Sequence, residues 1–297
     1  MATFQLVNNL AIYKEVVGLA KEQNITIHLT TGNEEMEELG RIIEGRDSIY
    51  ITINPLAIND EGVWVHELLH AKFRLLGYPT CSTFSKIEFP QVILSAFTSL
   101  HNSIQHTYVF REMETMGVSQ EHINEEFRKS IIEDAKTSTG DTRHISNAVN
   151  FLEYYLRYPE ESLGTLTKDE DIYCSESFEL FSEMLEVVRE PLLTAPDYRN
   201  AYIKMLRILD GYLVKKIGCS MRLDLFVCVD PVIRENELHN RASEHYRIVD
   251  IPEHDFFFLL DNYDNQCSFF IAKQGGEYHI SRLIHLLENT TVKDWND

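Results

Sequence analysis

Residues His66-Glu67-Leu68-Leu69-His70 carry the chemistry that stands out in this chain. On an α-helix, side chains four residues apart lie one turn from each other on the same face. The imidazoles of His66 and His70 can therefore reach one cation, and two neutral imidazoles suit Zn²⁺. Glu67, beside the first histidine, can take a proton from a water activated at such a metal. The chemistry expected from these five residues is metal-assisted hydrolysis.

Positioning them requires a helix with a defined start and stop. Ile49 to Ile53 is β-branched and aromatic, which predicts a strand, and Asn54-Pro55 breaks it. Asn59 or Asp60 can cap the helix that follows, with Glu61 in its first turn. The helix is expected over Val63–Leu76, ended by Gly77 with Pro79 close behind. Val65, Leu68, Leu69, Phe73, Leu75 and Leu76 read as core. Two histidines and a glutamate in so apolar a helix need partners or a metal, because burying an unpaired polar group is unfavourable.

A catalytic zinc site takes three protein ligands and keeps a position open for water. The next helical pattern runs from about Pro90 to Met116 and ends at Gly117. Within it, His106 shares an apolar face with Val109, Phe110 and Met113, which makes it the first candidate for the third ligand. Asn102 lies one turn earlier and is expected to orient that ring or to contact substrate.

The segment Ile49 to Pro79 resembles the zincin superfamily of metallopeptidases, in which an edge strand precedes an H-E-x-x-H helix. His66 to Pro79 and Asn102 to Gly117 also resemble uncharacterised bacterial proteins with an H-E-L-L-H-A helix. The resemblance implies Zn²⁺ as cofactor, Glu67 as the catalytic base, a peptide or protein substrate, and Ile49–Ile53 as the edge strand. Many zincins take their third ligand from a glutamate on a later helix. Glu179-Leu180-Phe181-Ser182-Glu183 resembles the E-x-F-A-E pattern that supplies it in some members, with Ser182 in place of alanine. Glu179, however, sits in an acidic stripe with Glu176, Glu183, Glu186 and Glu190, opposite Phe178, Phe181, Leu185 and Val188, and such a stripe reads as a solvated face. Glu112 is six residues beyond His106 and points about 120° away around the helix. His106 ranks first, Glu179 second and Glu112 third. Tyr108 and His144 are the candidates for stabilising an oxyanion.

The chain has 297 residues and a net charge of −20. That balance argues against a nucleic-acid partner, since phosphate contacts need clustered lysine and arginine. It leaves a basic peptide or partner open. There is no run of roughly eighteen apolar residues to cross a membrane, and the N-terminus lacks a basic start and apolar core. Five cysteines, odd in number and without a C-x-x-C pair, fit free thiols in a reducing cytosol.

The expected fold class is α+β and mostly helical. A zincin-like lobe spans 1–121, a helical region 122–217 and a small α+β module 218–297. In the lobe, Leu10–Glu22 reads as a helix, Ile25–Thr30 as a strand and Glu34–Glu44 as a short helix, and His28 is a strand residue without a catalytic role. Ile145–Leu156 and Tyr202–Ile217 have helical spacing. The polar stretches 137–141 and 168–171 are the linker candidates. In the tail, Leu223–Cys228, Tyr246–Ile251, Phe256–Leu260 and Cys267–Ala272 read as strands, with a hairpin connection at Asp261–Asn265 and a last helix at His279–Glu288. Phe256-Phe257-Phe258 is expected in a buried strand, and His239 and His245 as ordinary surface or core residues.

The function expected is that of a cytoplasmic zinc-dependent hydrolase, in particular a metallopeptidase, with His66, His70 and His106 as ligands and Glu67 as base. The alternative is a non-catalytic regulatory or sensory protein with a structural metal site and a C-terminal recognition module. Three ligands with an open position mark the enzyme; a fourth protein ligand marks the alternative.

Overall fold

The computed structural model describes residues 4–33, 35–36, 38–45, 47–83, 88–119, 121–137, 143–159, 175–273 and 280–296. It is α+β with about 59% helix and small sheets. The chain divides into two compact units. One comprises Met1–Tyr78 with Ala96–Leu192, the other Pro79–Ser95 with Leu193–Asp297.

The first unit opens with helices α1 (Gln5–Asn9) and α2 (Ala11–Glu22), followed by strands β1 (Thr26–Thr31), β2 (Gly40–Glu44) and β3 (Ser48–Ile53). The sheet order is β1-β3-β2, with β3 parallel to β1 and antiparallel to β2. Alternation along β3 sends Ile49, Ile51 and Ile53 inward, fully buried. Tyr50 and Thr52 face the other way, where Tyr50 stacks on His28 at 4.6 Å and Thr52 bonds Thr30. Helix α3 (Glu61–Leu75) packs on β2, β3 and α2. Its start is the expected one: the Asp60 carboxylate accepts from the Val63 N–H at 3.2 Å. Gly77 ends it in the left-handed region at φ 76°, which glycine adopts without strain. The remainder of the unit is helical: α4 (Gln91–Met116, from Ala96 onward), α5 (Glu121–Thr137), α6 (Arg143–Arg157) and α7 (Ser175–Val188).

Three expectations for this unit are corrected. Gly40–Glu44, read as the end of a helix over Glu34–Glu44, is a strand. Its consecutive isoleucines are β-branched and pair in register with β3, Ile42 opposite Ile51 and Ile43 opposite Tyr50. The edge strands are therefore β1 and β2, and the Ile49–Ile53 strand is the central one. Leu76, expected in the core, is exposed, because it lies past the last helical turn.

The second unit holds β4 (Cys81–Thr83), helices α8 (Ala195–Ile217) and α9 (Leu223–Phe226), and β5 (Val227–Val229), which pairs antiparallel with β4. Then come α10 (Ala242–His245), β6 (Tyr246–Asp250), β7 (Phe256–Asp261), β8 (Cys267–Ala272), α11 (Ile280–Asn289) and α12 (Lys293–Asn296). Strand β7 lies between β6 and β8 and is buried on both faces, which explains its unbroken apolar run. Phe257 and Leu259 pack towards Leu283 and Leu287 of α11; Phe256, Phe258 and Leu260 pack with Leu225, Cys228 and Cys267. The β7–β8 hairpin turns where expected, with Asn265 left-handed at φ 61°. His245 is buried and bonds Asn240, and His239 is exposed.

The Leu223–Cys228 strand is corrected to a helical turn followed by Val227–Val229. Arg222, left-handed at φ 52°, starts that turn and places Leu223 and Leu225 in the core. The grouping of segments also differs from 1–121, 122–217 and 218–297. Helices α5 to α7 belong with the H-E-L-L-H helix, whereas α8 packs with the tail. The reason for the second join is Arg199 of α8, whose buried guanidinium bonds the carbonyls of Val229 and Asp230 and the carboxylate of Asp264. The linker candidate 168–171 and all but Thr137 of 137–141 lie outside the described residues. No helix among the described residues is long and apolar enough to cross a membrane.

Candidate metal centre

Helix α3 presents His66 and His70 on one face, and α4 brings His106 to meet them. The Nε2 atom of His66 lies 3.1 Å from Nε2 of His70 and 3.3 Å from Nε2 of His106. A tetrahedral zinc ion with Zn–N bonds of about 2.05 Å sets its ligand nitrogens about 3.3 Å apart. These separations are the edges of such a tetrahedron. Among the described residues, this trio is the group of histidine, cysteine and carboxylate side chains able to hold a metal ion.

The opposite ring nitrogens explain the orientation. His70 Nδ1 is 2.6 Å from Gln105 Oε1, and the amide nitrogen of Gln105 is 3.1 Å from His101 Nε2. His106 Nδ1 is 2.7 Å from Glu153 Oε1 of α6. Both partners are acceptors, so each ring presents a proton on Nδ1 to its partner and turns its Nε2 atom inward. Burial holds the pKa of His66 well below its usual value, with the neighbouring His70 and His106 adding to the effect. Burial, with His106 beside it, likewise lowers His70 to about 3. The Nε2 atoms of the three rings thus converge on one another, where they could share a metal ion. The donor set and its spacing fit Zn²⁺.

Glu153 is itself held firmly. Burial pushes its pKa up, but His106 and Arg157, with hydrogen bonds from His106 and Ser103, outweigh burial and bring it down to about 2. Ser103 donates to Oε2 at 2.9 Å and Arg157 to Oε1 at 2.9 Å. A carboxylate behind a metal-binding histidine fixes the ring and raises its basicity.

Glu67 is buried and lines a cavity of about 300 Å³ together with His66, Val63, Phe127, Arg157 and the Glu38-Leu39-Gly40 stretch that leads into β2. Burial, then the nearby Glu38, raises its pKa to about 8. Gly40 passes so close that a Cβ there would lie 2.6 Å from the Cγ and Oε1 of Glu67. Glycine leaves room for the carboxyl group.

The structure brings together His66, Glu67, His70 and His106 from the sequence-derived candidates and leaves the others apart. Asn102 is exposed; Glu153, from a helix 47 residues on, takes the orienting role expected of it. Glu112 pairs with Lys72 at 3.6 Å. Glu179 is exposed on the acidic face of α7. His144 is held by Glu176 at 3.1 Å, and Tyr108 packs its ring against Phe73 and Tyr78. Neither lines the Glu67 cavity. Sequence reasoning missed Gln105, Glu153, Arg157 and Gly40. A usable signal was present for Glu153, a charge inside the otherwise apolar stretch Phe151-Leu152-Glu153-Tyr154. No known protein family, curated protein or solved structure matches the chain.

Proposed function

We propose that this protein is a zinc-dependent hydrolase of the peptidase type. The observation that carries the reading is the convergence of three imidazoles, with His66 Nε2 3.1 and 3.3 Å from those of His70 and His106, beside a buried glutamate that faces a cavity. His66, His70 and His106 would hold the ion. Zinc bound there supplies Lewis acidity, polarising a carbonyl and making a water acidic enough to attack near neutral pH. Glu67 takes the proton of the attacking water and passes it to the departing amine. In the protein without metal its raised pKa keeps it protonated near pH 7; the positive charge of the ion lowers that pKa and readies the carboxylate as a base. Glu153 and Gln105 keep the His106 and His70 rings aimed.

The edge position of β2 favours a peptide substrate. One side of β2 pairs with β3, and its first residue, Gly40, borders the Glu67 cavity. An extended peptide can add to the other side through main-chain hydrogen bonds, which places a scissile carbonyl beside Glu67. The regulatory alternative calls for a fourth protein ligand, and among the described residues the cluster has three. A cytoplasmic setting accords with the four described cysteines, all free thiols.

The deciding experiment pairs metal analysis with turnover of a fluorogenic peptide library. Glu67→Gln should keep stoichiometric zinc and lose about 10²- to 10⁴-fold in turnover. Full turnover in that variant, or no zinc in the wild type, removes the proposal.

A further inference from the structure

Arg157, at the end of α6, has a guanidinium whose bonding is incomplete. Its faces are covered by aromatic rings, with Phe110 at 4.9 Å and Phe127 at 4.2 Å. Only the edges of the group can therefore bond. Nε donates to Glu153 Oε1 at 2.9 Å, Nη2 lies 2.9 Å from the same oxygen as an ion pair, and Nη1 donates to Asn124 at 2.6 Å. A guanidinium has five N–H bonds. At most three are engaged, which leaves at least one on each Nη without an acceptor among the described residues. The side chain is only 9% exposed, so water gives it little compensation.

Arg157 borders two cavities. One is the Glu67 cavity; the other, of about 580 Å³, is bounded by His106 and Phe110 on one side and by the ends of α6 and α7 on the other. Arg111 also lines the larger cavity. It donates to the Leu192 carbonyl and has no carboxylate partner among the described residues. Glu114 is the acidic residue on that wall, and Arg189 is exposed and already paired with Glu186. The Arg157 charge is matched by the ionised Glu153 carboxylate, so Arg111 is the cation on this wall without a carboxylate partner among the described residues.

We propose that this pocket binds a carboxylate of the substrate, held by the two remaining N–H groups of Arg157 with Arg111 behind it. The in-plane donors suit the two coplanar oxygens of a carboxylate. The carboxylate belongs to an acidic side chain or to a free peptide C-terminus. The assignment rests on the peptidase reading, since it names the substrate of that site.

The test measures binding by calorimetry, using zinc-loaded Glu67→Gln protein and metal-free wild type. The probes are three N-acetylated tripeptides: Ala-Ala-Ala amide, Ala-Asp-Ala amide, and Ala-Ala-Ala with a free C-terminus. One carboxylate probe should bind at least ~10-fold more tightly than the neutral amide, and which one does so identifies the source. Arg157→Gln and Arg111→Gln should each bring that ratio close to one, with zinc content and circular dichroism of every variant recorded alongside. Should Arg157→Gln fail to fold, Arg111→Gln and the wild-type ratio decide. Equal binding of all three probes, no binding at millimolar concentration, or a ratio that survives both substitutions overturns the carboxylate site. Carboxylate preference without cleavage of any peptide by the zinc-loaded wild type overturns the peptidase reading and keeps the site. Cleavage without preference does the reverse.

Discussion

The two units bury charged and polar groups in opposite ways. In the second unit, Arg199 is enclosed by its own acceptors: both oxygens of Asp264, the carbonyls of Val229 and Asp230, and Asp261 at 3.5 Å. That network is complete within the protein and ties α8 to the β5 and β7–β8 segments. In the first unit, His66, His70 and His106 direct their Nε2 atoms at a common point, and the outer bonds of His70 to Gln105 and of His106 to Glu153 make that convergence firmer. The first kind of cluster is architecture. The second, on the function proposed above, is completed by a metal ion. Burial alone does not separate the two; an account of donors and acceptors does.

The comparison breaks first at Arg199. Arg199→Met leaves Asp264 and Asp261 without their partner and should lower stability by about 3–5 kcal/mol, read by denaturant unfolding. A change below about 1 kcal/mol would mean that the closed network is not structural. Acid should act chiefly on the open cluster. His66 and His70 titrate below their usual 6.5 in the folded chain. Their contribution to metal-free stability is therefore complete above pH 6.5 and is lost as pH falls below it, for His70 towards about 3. One pKa unit corresponds to about 1.4 kcal/mol, so the loss is of the order of a few kcal/mol. Glu67 has the opposite sign: raised to about 8, it favours the fold below its unfolded value near 4.5 and loses that contribution as pH rises through 8. Melting temperatures of the metal-free protein should peak on the mildly acidic side of neutrality, and zinc should flatten the acid limb until protons displace it. A melting temperature flat from pH 7 to 4 in the metal-free protein contradicts this account.

Smaller effects refine the open cluster. Glu153→Gln keeps the shape of the side chain and removes its charge, and should weaken zinc binding about 10- to 100-fold, as measured by chelator competition. Unchanged affinity would confine Glu153 to packing. Gly40→Ala displaces the Glu67 carboxyl group and should reduce turnover about tenfold with zinc retained, equivalent to about 1.4 kcal/mol in the barrier. Equal turnover would show that β2 can shift to make room.

What could be read in the sequence was local. The cap at Asp60, the stop at Gly77 and the one-turn spacing of His66 and His70 lie within 18 residues and depend on neighbouring backbone. His106 was legible because a histidine on an apolar helix face needs a reason to be there. Glu153 and Gly40 acquire their roles from partners distant in the chain, so pattern alone showed a polar position on one helix and the end of another. The Gly40–Glu44 misreading has the same origin. Its residues become a strand through register with β3, and a run of glutamates ahead of two isoleucines does not announce that pairing.

The β4–β5 ladder joins Cys81 to Val229 across most of the chain, and residues 79–95 belong to the second unit although they interrupt the first. This has a consequence for synthesis on the ribosome. Every residue of the histidine-bearing unit has been made once Leu192 is added, while the excursion at 79–95 must wait for its partners. Translation proceeds at about 5–20 residues per second, so the 37 residues from 192 to 229 amount to roughly 2–7 seconds of delay. During that interval the nascent chain has all three imidazoles of the metal centre and not yet the strand against which β4 will close. Cation capture can precede completion of the fold, and a ribosome stalled near residue 200 is the place to see it.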